Sequence, residues 1–371
     1  MEKSIDTRRR TTLRAFAARG AMAAFVAILS LLHGCASHAP VLRSDPSYGV
    51  VARSRIGGLG GWDFITFESS RQRLFIARSD RVQVWSALTQ QLVGEIPGTA
   101  GVHGVALAGD LQRGFTSNGR ANSLTVFDLA DLRVVGTLPI PGDNPDAILY
   151  ESKFKRIYTF NGRSNDATVV DAVTLEVLAT IPLGGKPEVA VSDGSGHVFV
   201  NIEDTAELVA IDQATDRVYA RWPLAPCQSP TGLAIDSAHR RLFSVCANRI
   251  MTVVDADSGG IVASVPIGSG PDGAEFDPAL SLAFSANGDG TLTVVHEDSP
   301  RGFTVVGNVA TQNKARTLTL DPLSHRVYLV SALFGPAPEP TAAQPRPRLP
   351  VLPDTFTVIV AAPRGAVSTL H

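Results

Sequence analysis

The chain has 371 residues, of which 44% are hydrophobic and 18% are charged, with a formal net charge of −2. This apolar content can fill a large core, and the charge density is too low for a chain that stays disordered. The 33 Gly and 24 Pro are spread along the chain, which is typical of many short strands joined by turns.

The first 34 residues predict a secretory signal peptide rather than a part of the fold. A basic segment that starts with Lys3 precedes an apolar run over residues 21–32. That run is shorter than the ~20 residues that a membrane-spanning helix needs, which disfavours a transmembrane anchor. Arg9 and Arg10 leave two export routes open, the general secretory route and the twin-arginine route.

Cys35 follows Leu32-His33-Gly34, an ending that resembles the lipobox of bacterial lipoproteins. The resemblance implies that Cys35 is lipidated and becomes the mature N-terminus. His33 departs from the small residue that is usual at its position, which leaves ordinary signal cleavage as the alternative. We therefore expect an exported, lipid-anchored protein of the bacterial periplasm or outer membrane, with residues 35–48 as a linker.

Removal of the signal peptide changes the charge balance. The first 34 residues hold six of the 33 Lys and Arg and two of the 35 Asp and Glu. The remainder therefore has 27 basic and 33 acidic residues, a net charge of −6. Because phosphate binding needs local positive charge, this balance disfavours nucleic acid as a partner.

One pattern of about 42 residues recurs seven times after the linker. Each copy contains four short runs rich in Val, Ile, Leu, Phe and Tyr, separated by Gly, Asn, Asp or Pro. Four strands in about 40–45 residues are typical of one blade of a β-propeller. The sequence therefore predicts an all-β, seven-bladed β-propeller of four-stranded antiparallel blades over residues 49–362. The copies open at Asp63, His103, Asp146, Glu188, Thr231, Asp272 and Arg316.

The seventh copy supplies only three strands before the chain ends. A segment near the N-terminus matches the fourth strand of another copy. Residues 50–58 read VVARSRIGG and match VLATIPLGG at residues 177–185. We therefore expect the N-terminal strand to complete the last blade and to seal the ring. Residues 363–371 then follow as a tail.

The copies resemble the YVTN-repeat family of bacterial and archaeal propellers, which includes the YncE-like proteins. The family's tetrapeptide appears here as Phe115-Thr-Ser-Asn and Tyr158-Thr-Phe-Asn, and its Val-Ile-Asp element ends at Asp128 and Asp171. The resemblance covers about residues 49–362 and implies a propeller with WD-repeat-like blades. It implies no single function, because function resides in sites placed on a fold. Nucleic-acid binding, proposed for YncE-like relatives, is an alternative that the net charge disfavours.

Several Asp residues occupy the same position in successive copies, at the end of the third strand. An Asp at that point can accept hydrogen bonds from the backbone of the following turn. Their repetition therefore predicts a structural role rather than a pair of catalytic carboxylates. They are Asp128, Asp171, Asp212 and Asp255.

The first strand of each propeller blade lines the central channel, so the opening residues of the copies should ring one end of it. Oxygen ligands suit Ca²⁺ or Mg²⁺, and a His favours Zn²⁺. The alternative is that these polar side chains only line a hydrated channel mouth. The candidate ligand-binding residues are Asp63, His103, Asp146, Glu188, Asp272 and Arg316, and the first four form a candidate site for a divalent cation.

Two further features are predicted on the same face. Cys227 and Cys246 lie in loops that emerge there, and an exported chain meets an oxidising compartment, so we expect a disulfide; two free thiols are the alternative. Residues 335–353 form a Pro-rich insertion in the second hairpin of the last blade. This insertion either covers the mouth, engages a partner or remains a surface loop.

These observations favour binding over catalysis. The predicted function is a cell-envelope binding or scaffolding propeller that presents one polar face to a small ligand or an envelope protein. The alternative is a metal-dependent hydrolase or lyase, similar to propeller lactonases, that uses the acidic arc. The chain has no Cys-x-x-Cys-His, no Gly-x-Ser-x-Gly and no phosphate-binding loop, so a divalent cation is the one cofactor proposed.

Overall fold

The computed structural model describes residues 47–340, 347 and 349–364. The predicted signal peptide, Cys35 and nearly all of the linker lie outside the described residues. So do residues 341–346 and 348 of the Pro-rich insertion and residues 365–371 of the tail. In the described part of the chain, no helix is long and apolar enough to cross a membrane.

The described strands form seven four-stranded antiparallel sheets, as predicted. The first strand, β1 (Tyr48–Arg55), belongs to the last blade. Blade 1 consists of β2 (Ile65–Glu68), β3 (Arg73–Arg78), β4 (Arg81–Ser86) and β5 (Gln91–Ile96). Blade 2 consists of β6 (Val102–Ala108), β7 (Arg113–Asn118), β8 (Ser123–Asp128) and β9 (Val134–Pro139), with a short 3-10 helix at Gly109–Leu111. Blade 3 consists of β10 (Pro145–Glu151), β11 (Arg156–Asn161), β12 (Asp166–Asp171) and β13 (Val177–Pro182).

The remaining blades follow the same order. Blade 4 consists of β14 (Pro187–Ser192), β15 (His197–Ile202), β16 (Glu207–Asp212) and β17 (Arg217–Pro223). Blade 5 consists of β18 (Pro230–Asp236), β19 (Arg241–Cys246), β20 (Ile250–Asp255) and β21 (Ile261–Pro266). Blade 6 consists of β22 (Pro271–Asp277), β23 (Leu282–Asn287), β24 (Thr291–Ser299) and β25 (Gly302–Ala310). Blade 7 consists of β26 (Leu318–Asp321), β27 (Arg326–Ser331), β28 (Thr357–Pro363) and β1.

The core lies between the blades. In the described residues, seven apolar clusters are found, one at each contact between neighbouring blades. The second strand is almost continuously buried because both of its faces are covered by adjacent blades. Its aromatic residue is buried in every blade: Phe75, Phe115, Tyr158, Phe199, Phe243, Phe284 and Tyr328.

The last blade combines strands from distant parts of the chain. β1 pairs with β28 in an antiparallel register that runs from Tyr48 opposite Pro363 to Arg55 opposite Thr357. Tyr48 is buried and its ring meets Phe284 of blade 6 edge-on, with the ring centroids 5.0 Å apart. β1 therefore covers an edge of β28 and contributes apolar surface to the contact between blades 6 and 7.

Two local predictions are confirmed. Cys227 and Cys246 form a disulfide with their Cα atoms 5.5 Å apart. The Asp that ends the third strand caps the turn that follows it: Asp128 Oδ1 accepts the backbone N–H groups of Ala130 and Asp131. Asp171, Asp212 and Asp255 make the same pair of bonds in their own blades.

Candidate functional site

Irregular first strands direct the candidate side chains into the channel mouth. In blades 2 to 6 the register of the first strand shifts just after it begins, for example between Val102 and Gly104 and between Pro145 and Ile148. A bulge of this kind bends a strand and re-aims a side chain. The residues inside these irregular segments are the predicted ones: His103, Asp146, Glu188, Thr231 and Asp272.

Bonds between blades hold the backbone at the mouth. The carbonyl of His103 accepts the Phe64 N–H of blade 1 at 3.0 Å. The carbonyl of Arg316 likewise accepts the Gly273 N–H of blade 6 at 2.9 Å. Because the irregular segments find their hydrogen-bond partners in the adjacent blade, the side chains are held in a fixed ring.

Three of the predicted cation ligands come together. His103 Nδ1 is 2.6 Å from Asp63 Oδ2 and 3.5 Å from Asp146 Oδ1. One ligand atom from each of the three residues lies within 4.8 Å of the others. Two carboxylates and an imidazole at this spacing can coordinate one divalent cation.

Glu188, the fourth predicted ligand, is not part of this group. Its Oε1 is 2.6 Å from Lys186 Nζ, and the same ammonium also binds Glu203. Sequence spacing did not identify Lys186 or Glu203 as mouth residues. The available signal was the position of Lys186 two residues before Glu188, at the entrance to a first strand.

The other side of the mouth is an ion pair. Arg316 Nε lies 3.2 Å from Asp272 Oδ2. Thr231 completes the ring between these groups and donates its hydroxyl to the Pro271 carbonyl at 3.1 Å. Lys186 and Arg316 are therefore both engaged with carboxylates other than Asp63 and Asp146.

Burial changes the titration of the group around His103. It raises the pKa of Asp146 to about 6, against the opposing effect of His103. Burial also lowers the pKa of His103, but the hydrogen bond to Asp63 and the surrounding carboxylates outweigh it, so that the pKa of His103 is raised. Both shifts favour the protonated forms of Asp146 and His103, and a cation would compete with those protons.

Burial also raises the pKa of two other carboxyl groups of the ring. Burial raises the pKa of Asp272 to about 7 despite Arg316 beside it. Burial also raises the pKa of Glu188, although Lys186 opposes the change. Among the ion-paired residues of the ring, carboxylates outnumber cations: Asp63, Asp146, Glu188, Glu203 and Asp272 against His103, Lys186 and Arg316.

A cavity of about 670 Å³ opens beside the His103 group. Asp63 and His103 line one part of it, and Arg120 and Arg163 line another. Both arginines are exposed and follow the second strands of blades 2 and 3 in the same Asn-Gly-Arg sequence. The imidazole of His103 packs against Gly119 in this wall, where a Cβ would lie 2.7 Å from Nε2.

The channel below the mouth is a second cavity, of about 480 Å³. Its wall is largely apolar, and Glu275 of blade 6 contributes a carboxylate to it. Burial raises the pKa of Glu275 to about 7, while a hydrogen bond from the Leu320 backbone opposes the change. Sequence reasoning missed Glu275, although a charged residue at a channel-lining position that is uncharged in the other blades was a usable signal.

The base of the Pro-rich insertion lies near the mouth. Phe334 and Val351 form an antiparallel bridge, and Gly335 N–H donates to the Pro350 carbonyl at 2.8 Å. The ring of Phe334 is 6.0 Å from that of Trp62, which lines the cavity beside His103. The expectation that the insertion emerges on the same face as the polar ring agrees with these contacts.

Comparison with known proteins adds no family to this description. No protein-family model matches the chain, and no curated protein matches it. The relationship to the YVTN propellers therefore stays a prediction, and the geometry of the mouth is the basis of the functional argument.

Proposed function

We propose that this protein is a binding propeller of the bacterial cell envelope, whose channel mouth holds a divalent cation and, beside it, a small anionic ligand. The observation that supports this function most directly is the convergence of Asp63, His103 and Asp146, whose ligand atoms lie within 4.8 Å of one another. The residues come from three successive blades, so the group forms only when these blades pack against one another.

The His103 group is better suited to bind a cation than the other carboxylates of the mouth are. Lys186 and Arg316 are paired with Glu188 and Asp272. The His103 group is left with two carboxylates and one imidazole, and burial raises the pKa of one of these carboxylates, Asp146. A divalent cation would compete with protons here and neutralise both carboxylates.

The neighbouring cavity suits a small anion. Its volume of about 670 Å³ lies in the range of ordinary ligand pockets. Arg120 and Arg163 line it, and a guanidinium group binds carboxylate and phosphate through paired hydrogen bonds. A ligand with such a group would contact the arginines on one side and the cation on the other.

Location in the cell envelope is also part of this proposal. It is supported by the basic segment, the apolar run and the lipobox-like ending at Cys35. We also propose membership of the YVTN-repeat propellers, on the repeat pattern of residues 49–362. Mass spectrometry of the protein from a bacterial envelope fraction tests this location: an acylated N-terminal Cys35 is expected, and an unmodified protein in the cytoplasm would contradict it.

Calorimetric titration with Zn²⁺, Mn²⁺ and Ca²⁺ tests the cation site. We expect Asp146→Asn and His103→Asn each to weaken binding of the preferred ion by about 10-fold or more. Glu176→Gln is the control, because it removes one negative charge from an exposed turn on the other side of the blade. Equal affinities in all four proteins would overturn the proposal.

A titration of the metal-loaded protein with citrate and inorganic phosphate tests the anion site. We expect Arg120→Gln and Arg163→Gln to weaken anion binding while leaving metal affinity unchanged. Arg217→Gln, on the exposed outer strand of blade 4, is the matched control. If anion binding is the same in all variants, the arginines have no part in the site.

Hydrolysis or elimination at the mouth is a second candidate function. The observation in its favour is that His103 and Asp146, both with raised pKa, line or adjoin a cavity of substrate size. Such groups can transfer protons near neutral pH. A panel of lactones and esters assayed with the Zn²⁺-, Mn²⁺- and Ca²⁺-loaded protein separates the functions: turnover that Asp146→Asn abolishes supports catalysis, and cation binding without turnover supports binding alone.

A further inference from the structure

A second group of metal-ligating side chains lies between blades 5 and 6, at the end remote from the channel mouth. Asp236 ends β18, His239 lies in the turn before β19, and Glu297 lies in β24. His239 Nδ1 is 2.6 Å from Asp236 Oδ2 and 3.7 Å from Glu297 Oε1. One ligand atom from each residue lies within 4.8 Å of the other two.

Glu297 occupies a position that is uncharged in the other blades. Its N–H donates to the Ser281 carbonyl, and in blade 5 the Ala256 N–H donates to the Arg240 carbonyl at the same point of the repeat. Ala256 is completely buried, and Glu297 is 7% exposed. The equivalent residues of blades 1 to 5 are Ala87, Leu129, Ala172, Gln213 and Ala256.

The Glu297 carboxylate finds no donor among the described residues. Both of its oxygens are buried and without a hydrogen-bond partner. The imidazole of His239 bonds to Asp236 instead. The nearby guanidinium of Arg241 is engaged with Asp255 at 2.8 Å. A buried carboxylate without a donor is costly, and a bound cation would offset that cost.

We infer that Asp236, His239 and Glu297 bind a divalent transition-metal ion. Two carboxylates and an imidazole form a ligand set that suits Zn²⁺ and neighbouring ions. Asp236 Oδ1 accepts the backbone N–H groups of Ala238 and His239, at 2.9 and 3.3 Å, and these bonds orient its carboxylate as the outer shell of a metal site does. The side chain of His239 is 55% exposed, which provides a path for entry and leaves room for a water ligand.

The equivalent turn of blade 4 shows what distinguishes this group. There His197 Nδ1 lies 2.9 Å from Asp193 Oδ2, an arrangement similar to that of His239 and Asp236. In place of a second carboxylate, Arg240 Nη1 lies 2.8 Å from the same Asp193 Oδ2. The blade 4 turn is therefore electrically balanced by protein groups. It supplies a matched control without a predicted metal.

Zn²⁺ titration in a protein whose mouth is disabled by Asp63→Asn and Asp146→Asn tests this inference independently of the proposed function. We expect this parent to bind one Zn²⁺, and Glu297→Gln or His239→Ala to weaken that binding by about 10-fold or more. His197→Ala should leave it unchanged. Titration with Co²⁺ should give visible absorption bands that Glu297→Gln removes.

Two results would overturn the inference. One is a parent that binds no Zn²⁺ at micromolar concentration, which would also show that any metal bound by the natural protein resides at the mouth. The other is equal Zn²⁺ affinity in the parent, Glu297→Gln and His239→Ala. Folding is checked by metal-free melting: Glu297→Gln keeps the side-chain shape and removes a buried charge, so it should melt no lower than the parent, and Zn²⁺ should raise the melting temperature of the parent alone.

Discussion

His103 Nδ1 lies 2.6 Å from Asp63 Oδ2, and this hydrogen bond joins blade 2 to blade 1 at the channel mouth. The imidazole keeps this position because Gly119 leaves space beside it. We predict that Gly119→Ala displaces the ring, since the new Cβ would lie 2.7 Å from Nε2. Affinity for the mouth cation should fall by about 10-fold, as when a positioning group of a metal site is lost.

Gly162→Ala is the matched control for that variant. Gly162 occupies the same position in blade 3, where the nearest atom to an added Cβ would be 3.4 Å away. Calorimetry should find its cation affinity unchanged. If both variants bind equally well, the placement of His103 has no bearing on the cation.

Glu275 should make the protein less stable as the pH rises. Its folded pKa of about 7 lies above the ordinary value, so the folded state binds more protons than the unfolded state between about pH 4 and pH 7. The free energy of unfolding therefore falls across that window. Glu275→Gln should match the natural protein near pH 4 and exceed it near pH 8, by at most about 3 kcal/mol.

Denaturant unfolding at the two pH values measures this difference. Glu95→Gln is the control, because Glu95 lies on an outer strand and half of its side chain is exposed. That variant should show no such divergence. A Glu275→Gln protein that gains no stability at the higher pH would mean that the channel does not resist ionisation of Glu275.

Asp193 should stabilise the protein at neutral pH. Burial raises its pKa, but hydrogen bonds from Ser195 and His197 outweigh this effect and hold the pKa well below its ordinary value. Such a group stabilises the fold above the unfolded pKa of about 4 and loses that contribution as the pH falls below it. Asp193→Asn should cost about 3 kcal/mol near pH 7, and less in acid.

Asp257→Asn is the control for Asp193→Asn, since Arg240 contacts both carboxylates. Arg240 Nη1 is 2.8 Å from the buried Asp193, and Arg240 Nη2 is 2.9 Å from Asp257, whose side chain is 66% exposed. Urea unfolding should show a loss below about 1 kcal/mol for Asp257→Asn. Equal losses in the two variants would argue that burial is not the source of the effect.

Deletion of residues 47–55 should destabilise the ring. It removes β1, exposes the edge of β28 and takes Tyr48 from the core between blades 6 and 7. We expect the melting temperature to fall by about 5 °C or more. Val51→Lys, an exposed change in the same strand, should leave it unaltered. An unchanged melt of the deletion would show that blade 7 is stable with three strands.

The sequence predicted most of the fold because a propeller repeats itself. Each copy has the same order of apolar runs and turns, so positions such as Asp63 and Asp146 could be placed at one end of the channel by alignment of the copies alone. The same alignment explained Asp128 as a turn residue. These inferences depend on local backbone geometry, which every blade repeats.

The sites depend on contacts between side chains, within a blade and across blades, and repetition does not determine those contacts. Glu188 was expected beside His103, but Lys186 holds it near Glu203 instead. Lys186 and Glu203 come from different loops of one blade, and their meeting follows from side-chain length and charge. Glu275 was missed because its carboxylate acquires its environment from the channel wall around it.

The sequence by itself predicted the number of blades and the position of the mouth residues, because equivalent positions of a periodic chain have equivalent surroundings. It favoured a bond between Cys227 and Cys246 over two free thiols, and the structure contains that bond. Only the tertiary structure decided that Asp63, His103 and Asp146 form one group and that Glu297 meets Asp236. The physical reason is that packing of adjacent blades brings their side chains within a few ångströms, where burial and charge decide which partners pair. Those pairings distinguish one blade from the next and are the basis for both proposed metal sites.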